Sequence, residues 1–158
     1  MFKKLIEQCQ SKSPWLFHLN SGACNGCDIE IIASLTPLYD VERFGILEKG
    51  SPRHADIIVV SGPVTRHSSS RLKRVFDQTP DPKVVVAIGS CPITGGIFKD
   101  SHTILPGLDN IVPVDCYVPG CAPKPEAIIM GTVKALEKLK EKREKMNESS
   151  NSDEVKEE

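Results

Sequence analysis

The stretches ADIIVVSG, residues 55–62, and PKVVVAIGS, residues 82–90, decide the fold of this chain. Each is a nearly continuous apolar run that ends near a glycine, which is typical of a parallel strand covered on both faces. Between them, SSSRLKRVFDQ, residues 68–78, places apolar residues at three- and four-residue steps, which predicts a crossover helix. A strand, a helix and a second strand in this order predict a right-handed βαβ unit.

The same alternation continues on both sides of this unit. The remaining predicted elements are strands at 15–19, 41–45 and 111–115, a helix at 28–35, and a helix that begins at Pro125 and runs through Leu139. Strands that alternate with helices predict a flavodoxin-like, doubly wound α/β fold, with a mainly parallel sheet and helices on both faces. In such folds ligands bind at the carboxyl ends of the strands.

Length and charge limit the classes of function. A chain of 158 residues suffices for one domain, and 20 Lys and Arg against 21 Asp and Glu give a net charge of −1. This balance argues against nucleic acid as a partner. The absence of G-x-G-x-x-G and P-loop motifs argues against a nucleotide. Because the sequence also lacks a secretory signal and a membrane span, we expect an intracellular chain.

The sequence divides into three predicted regions. Residues 1–14 contain an amphipathic helix at 2–10, which we expect to dock on a partner. Residues 15–140 form the predicted α/β domain. Residues 141–158 are highly charged, and we expect a disordered tail there.

Four of the six cysteines lie in loops rich in glycine and proline, each just after a predicted strand. Cys24 and Cys27 belong to SGACNGC, Cys91 to GSCPITGG and Cys121 to PGCAPKP. Because parallel strands bring their carboxyl ends to one edge of a sheet, the four thiols are expected to meet there. An intracellular chain is a poor setting for structural disulfides, so the cysteines are predicted to be metal ligands.

Three kinds of thiol site fit this spacing. Structural zinc usually takes two local pairs of ligands, whereas this chain offers one C-x-x-C and two isolated cysteines. A thioredoxin-like C-x-x-C redox pair leaves Cys91 and Cys121 without a role. A [4Fe–4S] cluster accepts scattered donors, and the spacing favours it.

Cys9 and Cys116 complete the set of cysteines. Cys9 lies on the apolar side of the first predicted helix and is interpreted as a packed thiol. Cys116 lacks the flanking glycine and proline of the other loops and is interpreted as the end of a strand, with competition with Cys121 as a ligand as the alternative.

Taken together, C-N-G-C at 24–27, G-S-C-P-I-T-G-G at 89–96 and V-P-G-C-A-P at 118–123 resemble the small subunit of [NiFe] hydrogenases and its complex I relative, the 20 kDa subunit. The first motif separates its cysteines as hydrogenases do, whereas the complex I subunit has adjacent cysteines. In its compact length the chain most resembles the subunit of energy-converting, membrane-bound hydrogenases and of related sulfur-reducing complexes. One departure is Ala122, where the family commonly has proline.

The resemblance implies that Cys24, Cys27, Cys91 and Cys121 hold one proximal [4Fe–4S] cluster. The subunit would relay electrons from a ferredoxin-like two-cluster subunit to a hydrogenase-type large subunit, in a complex with membrane subunits that evolves hydrogen and pumps ions. It would lie at the cytoplasmic side of the membrane and have no catalytic centre of its own. The same relay in a sulfane sulfur- or quinone-reducing complex stays open, as does a zinc-stabilised interaction module without redox function.

Two further features are expected near this edge. Glu30, three residues after Cys27, is in the first turn of the predicted helix, and the resemblance implies that it couples proton movement to electron transfer. The predicted loop after residue 62 contains Arg66, His67 and Arg71, which we expect to contact the large subunit or a membrane subunit. For Glu30, the alternative is an electrostatic role at the helix end. For Arg66, His67 and Arg71, the alternative is a solvated loop.

Overall fold

Five parallel strands form a single sheet in the computed structural model, which describes residues 13–154, with side chains through 146. The strands are β1 (Trp15–Asn20), β2 (Leu47–Glu48), β3 (Ile57–Ser61), β4 (Val84–Ile88) and β5 (Cys116–Val118). Their order across the sheet is β2-β1-β3-β4-β5. The predicted doubly wound, parallel α/β fold is thereby confirmed. The helix predicted at residues 2–10 lies outside the described residues.

The two central strands, β3 and β4, are buried along their whole length. They pair in parallel from Ile57 opposite Val84 to Ser61 opposite Ile88. Because successive side chains of a strand point to opposite faces, their apolar runs supply both cores of the domain. This double burial explains why both strands are almost entirely Val and Ile.

Helices cover both faces of the sheet. The helices are α1 (Gly26–Leu35), α2 (Arg66–Gln78), α3 (Ser90–Thr94) and α4 (Pro125–Glu154). Ile31 of α1 and Ile128 and Leu139 of α4 pack in the core on one face, while Leu72 and Phe76 of α2 pack in the core on the other. None of the helices within residues 13–154 has the length and hydropathy needed to span a bilayer.

Two predicted strands are wrong. Residues 41–44 form a 3₁₀ turn, because Asp40 and Gly45 on either side adopt left-handed conformations that an extended strand excludes. The strand at this edge comes later, as β2. Residues 111–115 begin with a turn closed on the carbonyl of Leu108, and β5 starts only at Cys116. Pro113, which has no N–H to donate to a ladder, explains this delay.

The start of α2 also differs from the prediction. The N-cap is Thr65, whose side chain accepts the Ser68 backbone N–H, while the Ser68 side chain accepts the Thr65 N–H. This capping box places Arg66 in the first turn of the helix instead of in the loop. Arg66, His67 and Arg71 are therefore exposed positions of α2.

The charged segment predicted to be disordered continues α4 through residues 141–154. Arg143 Nη2 lies 2.7 Å from Asp56 Oδ1, and Lys142 Nζ lies 2.7 Å from Asp115 Oδ1. Each aspartate precedes a strand and accepts a backbone N–H from the neighbouring strand, of Trp15 and Val85 respectively. The first part of the segment thus seals the amino edge of the sheet, and residues 155–158 lie outside the described residues.

These contacts predict that truncation after residue 140 destabilises the domain, whereas truncation after residue 146 does not. The shorter chain loses both partly buried ion pairs, so its free energy of unfolding is expected to fall by about 1–2 kcal/mol relative to the longer one. Urea denaturation of the two purified chains measures the difference. Equal midpoints would show that the helix extension adds nothing to the fold.

Candidate metal centre

The structure brings the four predicted ligand cysteines to the carboxyl edge of the sheet. Cys24 lies in the loop between β1 and α1, Cys27 is the second residue of α1, Cys91 follows β4 as the second residue of α3, and Cys121 follows β5. The loops after β4 and β5 are joined by two hydrogen bonds of 2.8 Å, from the Gly89 N–H to the Val118 carbonyl and from the Ser90 N–H to the Gly120 carbonyl. All four cysteines are free thiols.

The thiols differ in exposure and act electrostatically on one another. Cys24 and Cys121 are exposed, whereas Cys27 and Cys91 are buried. Burial, followed by the charges of Cys91, Cys24, Cys121 and Asp28, raises the pKa of Cys27 from 9.0 to about 11. Burial and then the charges of Cys121 and Cys24 also raise the pKa of Cys91. Burial therefore favours the protonated form of both thiols.

Glycine leaves space beside the buried sulfurs. A Cβ on Gly89 would lie 2.6 Å from Cys27 Sγ, and one on Gly96 would lie 3.0 Å from Cys91 Sγ. Gly89 also has a φ of +95°, which side chains rarely adopt. The chain therefore approaches Cys27 with bare backbone, an arrangement that lets peptide groups face the sulfur region.

The donor set suits an iron–sulfur cluster. Sulfur ligands select zinc, copper(I) or iron–sulfur clusters over harder cations. Among residues 13–146, no three Cys, His, Asp or Glu side chains form a group that could hold a single metal ion. A cubane binds each thiolate through a different iron, so it needs thiols around a wider centre than zinc does. In donor chemistry, four thiols are compatible with either kind of centre.

The other residues considered from the sequence occupy different places. Glu30 is half-buried in α1, one turn after Cys27. Cys116 is buried at the start of β5, where burial raises its pKa and Lys138 of α4 opposes this shift. The groups that influence the Cys116 thiol are lysines and Asp115, not the four clustered cysteines. Cys9 lies outside the described residues.

A polar group behind Cys27 was not predicted. The Asp28 carboxylate is buried and contacts side chains of His18, Asn20 and Ser61, which come from β1 and β3. The signal for it was present, because His18 and Asn20 are two residues apart in an apolar strand and so share one face. The sequence does not indicate which helix residue would meet them.

Comparisons with known proteins show the family to which this chain belongs. The model of the family described as NADH ubiquinone oxidoreductase, 20 Kd subunit, matches residues 24–136. The chain belongs to this family of oxidoreductase subunits, which confirms the resemblance inferred from the three cysteine motifs.

Individual relatives agree with this assignment. A probable membrane-bound hydrogenase subunit, mbhJ, of Pyrococcus furiosus is 60% identical over 87% of this chain and 83% of the relative. A subunit of the F(420)H(2) dehydrogenase of Methanosarcina mazei is 42% identical over 91% of this chain and 77% of the relative. A chain in the solved structure of the membrane-bound sulfane sulfur reductase, an archaeal respiratory membrane complex, has a TM-score of 0.76 and 38% identity, covering 98% of this chain and 90% of that chain.

The close approach at Gly89 predicts that Gly89→Ala destabilises the domain. The new methyl group would strain the backbone and displace the Cys27 sulfur, so the free energy of unfolding is expected to fall by about 1–3 kcal/mol. Gly50→Ala is the matched control, because a Cβ at Gly50 meets no atom within 4 Å. Chemical denaturation of both variants tests this, and a Gly89→Ala variant as stable as Gly50→Ala would contradict it.

Proposed function

We propose that this chain is an electron-transfer subunit that holds one [4Fe–4S] cluster through Cys24, Cys27, Cys91 and Cys121. The observation that supports this most directly is the meeting of four free thiols at the carboxyl edge of the sheet, where burial and then the neighbouring cysteines raise the pKa of Cys27 and Cys91. When bound, the cluster would accept and donate single electrons. The protein's part is to supply the thiolates, to surround them with glycine-rich backbone and to exclude water from Cys27 and Cys91.

The cluster would be loaded with loss of protons. Metal ligands must be thiolates, and burial keeps Cys27 and Cys91 protonated in the metal-free chain. Binding of iron would therefore release these protons and add its free energy to that of folding. The more exposed Cys24 and Cys121 would be the first donors that incoming iron meets.

Exposed apolar side chains near the cysteines support the proposal that a partner subunit binds over this surface. On α1, Ile29 and Ile32 are 64% and 58% exposed, and in the segment after Cys91, Ile97 and Phe98 are 87% and 42% exposed. Apolar side chains exposed together are typical of protein interfaces. We propose that a hydrogenase-type large subunit covers this edge and receives the electrons, and that a ferredoxin-like two-cluster subunit delivers them.

The proposed setting is a membrane-bound hydrogenase complex that evolves hydrogen and pumps ions. It is supported by the 60% identity to the probable membrane-bound hydrogenase subunit. The chain would be a peripheral subunit on the cytoplasmic side of the membrane, attached through membrane subunits. Arg66, His67 and Arg71, exposed on α2, are proposed to contact the large subunit or a membrane subunit.

A second candidate is the same relay in a sulfane sulfur-reducing complex. It is favoured by the 38% identity and the TM-score of 0.76 to a chain of the sulfane sulfur reductase. The metal content of the large subunit distinguishes the two complexes, because the ligands of nickel would lie in that partner. Two C-x-x-C pairs in the large subunit and nickel in the purified complex would favour the hydrogenase.

The cluster predicts a difference between cysteine variants. The full chain, prepared anaerobically with iron and sulfide, is expected to hold about four irons and to show a broad visible absorbance that dithionite bleaches. Cys27→Ser and Cys91→Ser are expected to lose most of the iron and the absorbance. Cys116→Ser is the matched control, since Cys116 is equally buried but lies among the lysines of α4.

Two results would contradict the relay. A colourless parent chain that holds one zinc ion would support the zinc-stabilised interaction module instead. Iron loss in Cys116→Ser as complete as in Cys27→Ser would mean that the ligand set is different.

Proton coupling at Glu30 predicts a change in turnover. In the assembled complex, Glu30→Gln is expected to reduce hydrogen evolution about tenfold or more and to alter its pH dependence, because a general acid–base group typically contributes a factor of 10²–10⁴. Glu126→Gln, an exposed glutamate in the first turn of α4, is the control. Unchanged turnover and pH profile in Glu30→Gln would leave Glu30 with only an electrostatic role at the helix end.

A further inference from the structure

A buried carboxylate lies directly after the second cysteine of the C-N-G-C motif. Asp28 is 9% exposed, and each of its oxygens is held by the sheet. Oδ1 accepts the Ser61 hydroxyl at 2.5 Å and lies 3.1 Å from His18 Nε2, and Oδ2 accepts the Asn20 amide at 2.5 Å. A buried carboxyl group is tolerated only with such partners, and the two strands supply them.

Helix capping does not explain Asp28. The N-cap of α1 is Asn25, which adopts a left-handed conformation and makes no side-chain cap hydrogen bond. The oxygens of Asp28 are occupied by side chains of β1 and β3 instead of by backbone N–H groups of the helix turn. The carboxylate therefore joins α1 to two strands. This role is separate from any interaction with the helix dipole.

Asn20 extends this connection to the first cysteine. Its Nδ2 donates to Asp28, while its Oδ1 accepts the backbone N–H groups of Gly22 at 2.8 Å and Ala23 at 2.9 Å. Gly22 and Ala23 immediately precede Cys24, and Asp28 immediately follows Cys27. One amide side chain thus ties both ends of the C-N-G-C segment together.

The same loop is fixed on its other side by β3. The Ser21 backbone N–H donates to the Ser61 carbonyl at 2.9 Å, and the Ser21 hydroxyl lies 2.8 Å from the carbonyls of Ser61 and Gly62. Ser68 at the start of α2 donates to the Ser21 carbonyl at 2.8 Å. Within the part of the chain whose side chains are described, every buried side-chain nitrogen and oxygen has a partner.

We infer that Asp28, joined through Asn20 to the loop before Cys24, is a positioning residue that sets the geometry of the Cys24 and Cys27 sulfurs and keeps the reduction potential of the cluster low. This inference rests on the proposed function. A fixed negative charge beside a cluster disfavours the arrival of an electron, and the buried position of Asp28 protects that effect from screening. The chemistry stays that of the four thiolates, and Asp28 acts on it through its charge and through the loop.

The test is a redox titration of the full chain, prepared anaerobically with iron and sulfide and followed by the electron paramagnetic resonance signal of the reduced cluster. Asp28→Asn is expected to keep its iron and to titrate at a more positive potential than the parent. Asp56→Asn is the matched control, since Asp56 is also partly buried and ion-paired but lies at the amino edge of the sheet. Its potential is expected to equal that of the parent.

A second variant tests the inference if Asp28→Asn does not bind the cluster. Asn20→Ala retains the carboxylate but removes the hydrogen bonds to Gly22 and Ala23, so it is expected to change the resonance signal and to release iron to a chelator several-fold faster than the parent. A parent-like potential in Asp28→Asn, or a parent-like signal and iron release in Asn20→Ala, overturns the inference while the relay itself stands. A parent chain without a cluster overturns the proposed function before either variant is compared.

Discussion

The parallel pairing of β3 with β4 is the constraint on which the rest of the structure depends. Both strands are covered on both faces, so their register and direction are fixed by the burial of nearly every side chain. Once they run in parallel, β1 and β5 add on either side in the same direction, and the loops that follow all open at one edge. Cysteines separated by 97 positions, from 24 to 121, are neighbours in space for this reason alone.

Charged side chains are arranged differently at the two edges of the sheet. At the amino edge, Asp56 and Asp115 bind backbone N–H groups of neighbouring strands and pair with Arg143 and Lys142 of α4, so buried charge is neutralised there. At the carboxyl edge, Asp28 adds a negative charge beside thiols whose thiolate forms repel one another. A metal centre bound at this edge would supply positive charge beside these groups.

The sequence predicts best where one interaction dominates. The limits of β4 at Val84 and Ile88 follow from continuous apolar residues between turn residues, and the four clustered cysteines follow from their position after such strands. The prediction fails at 41–45 and 111–115, where backbone conformations at Asp40, Gly45 and Pro113 outweigh a short apolar run. The amphipathic pattern of α2 is evident, but its start depends on the reciprocal hydrogen bonds of Thr65 and Ser68.

Long-range polar pairs were beyond the reach of local patterns. The run KEKREK suggests a solvated tail. Nothing in the local sequence indicates that Lys142 and Arg143 pair with the aspartates directly before β5 and β3. Asp28 poses the same problem, since its partners His18 and Ser61 lie 10 and 33 positions away. Such contacts become predictable only after the strand order is known.

The elevated pKa values of Cys27 and Cys91 connect the fold to the proposed centre. The same burial that gives these thiols a defined place in the core disfavours the thiolates that metal binding requires. A metal centre with several positive charges reverses that preference, because it stabilises all four thiolates together and removes their mutual repulsion. A bound centre would consequently favour the thiolates of Cys27 and Cys91 together, whereas burial and the neighbouring cysteines disfavour them without it. Loading of the centre and ordering of this edge should therefore form one cooperative step.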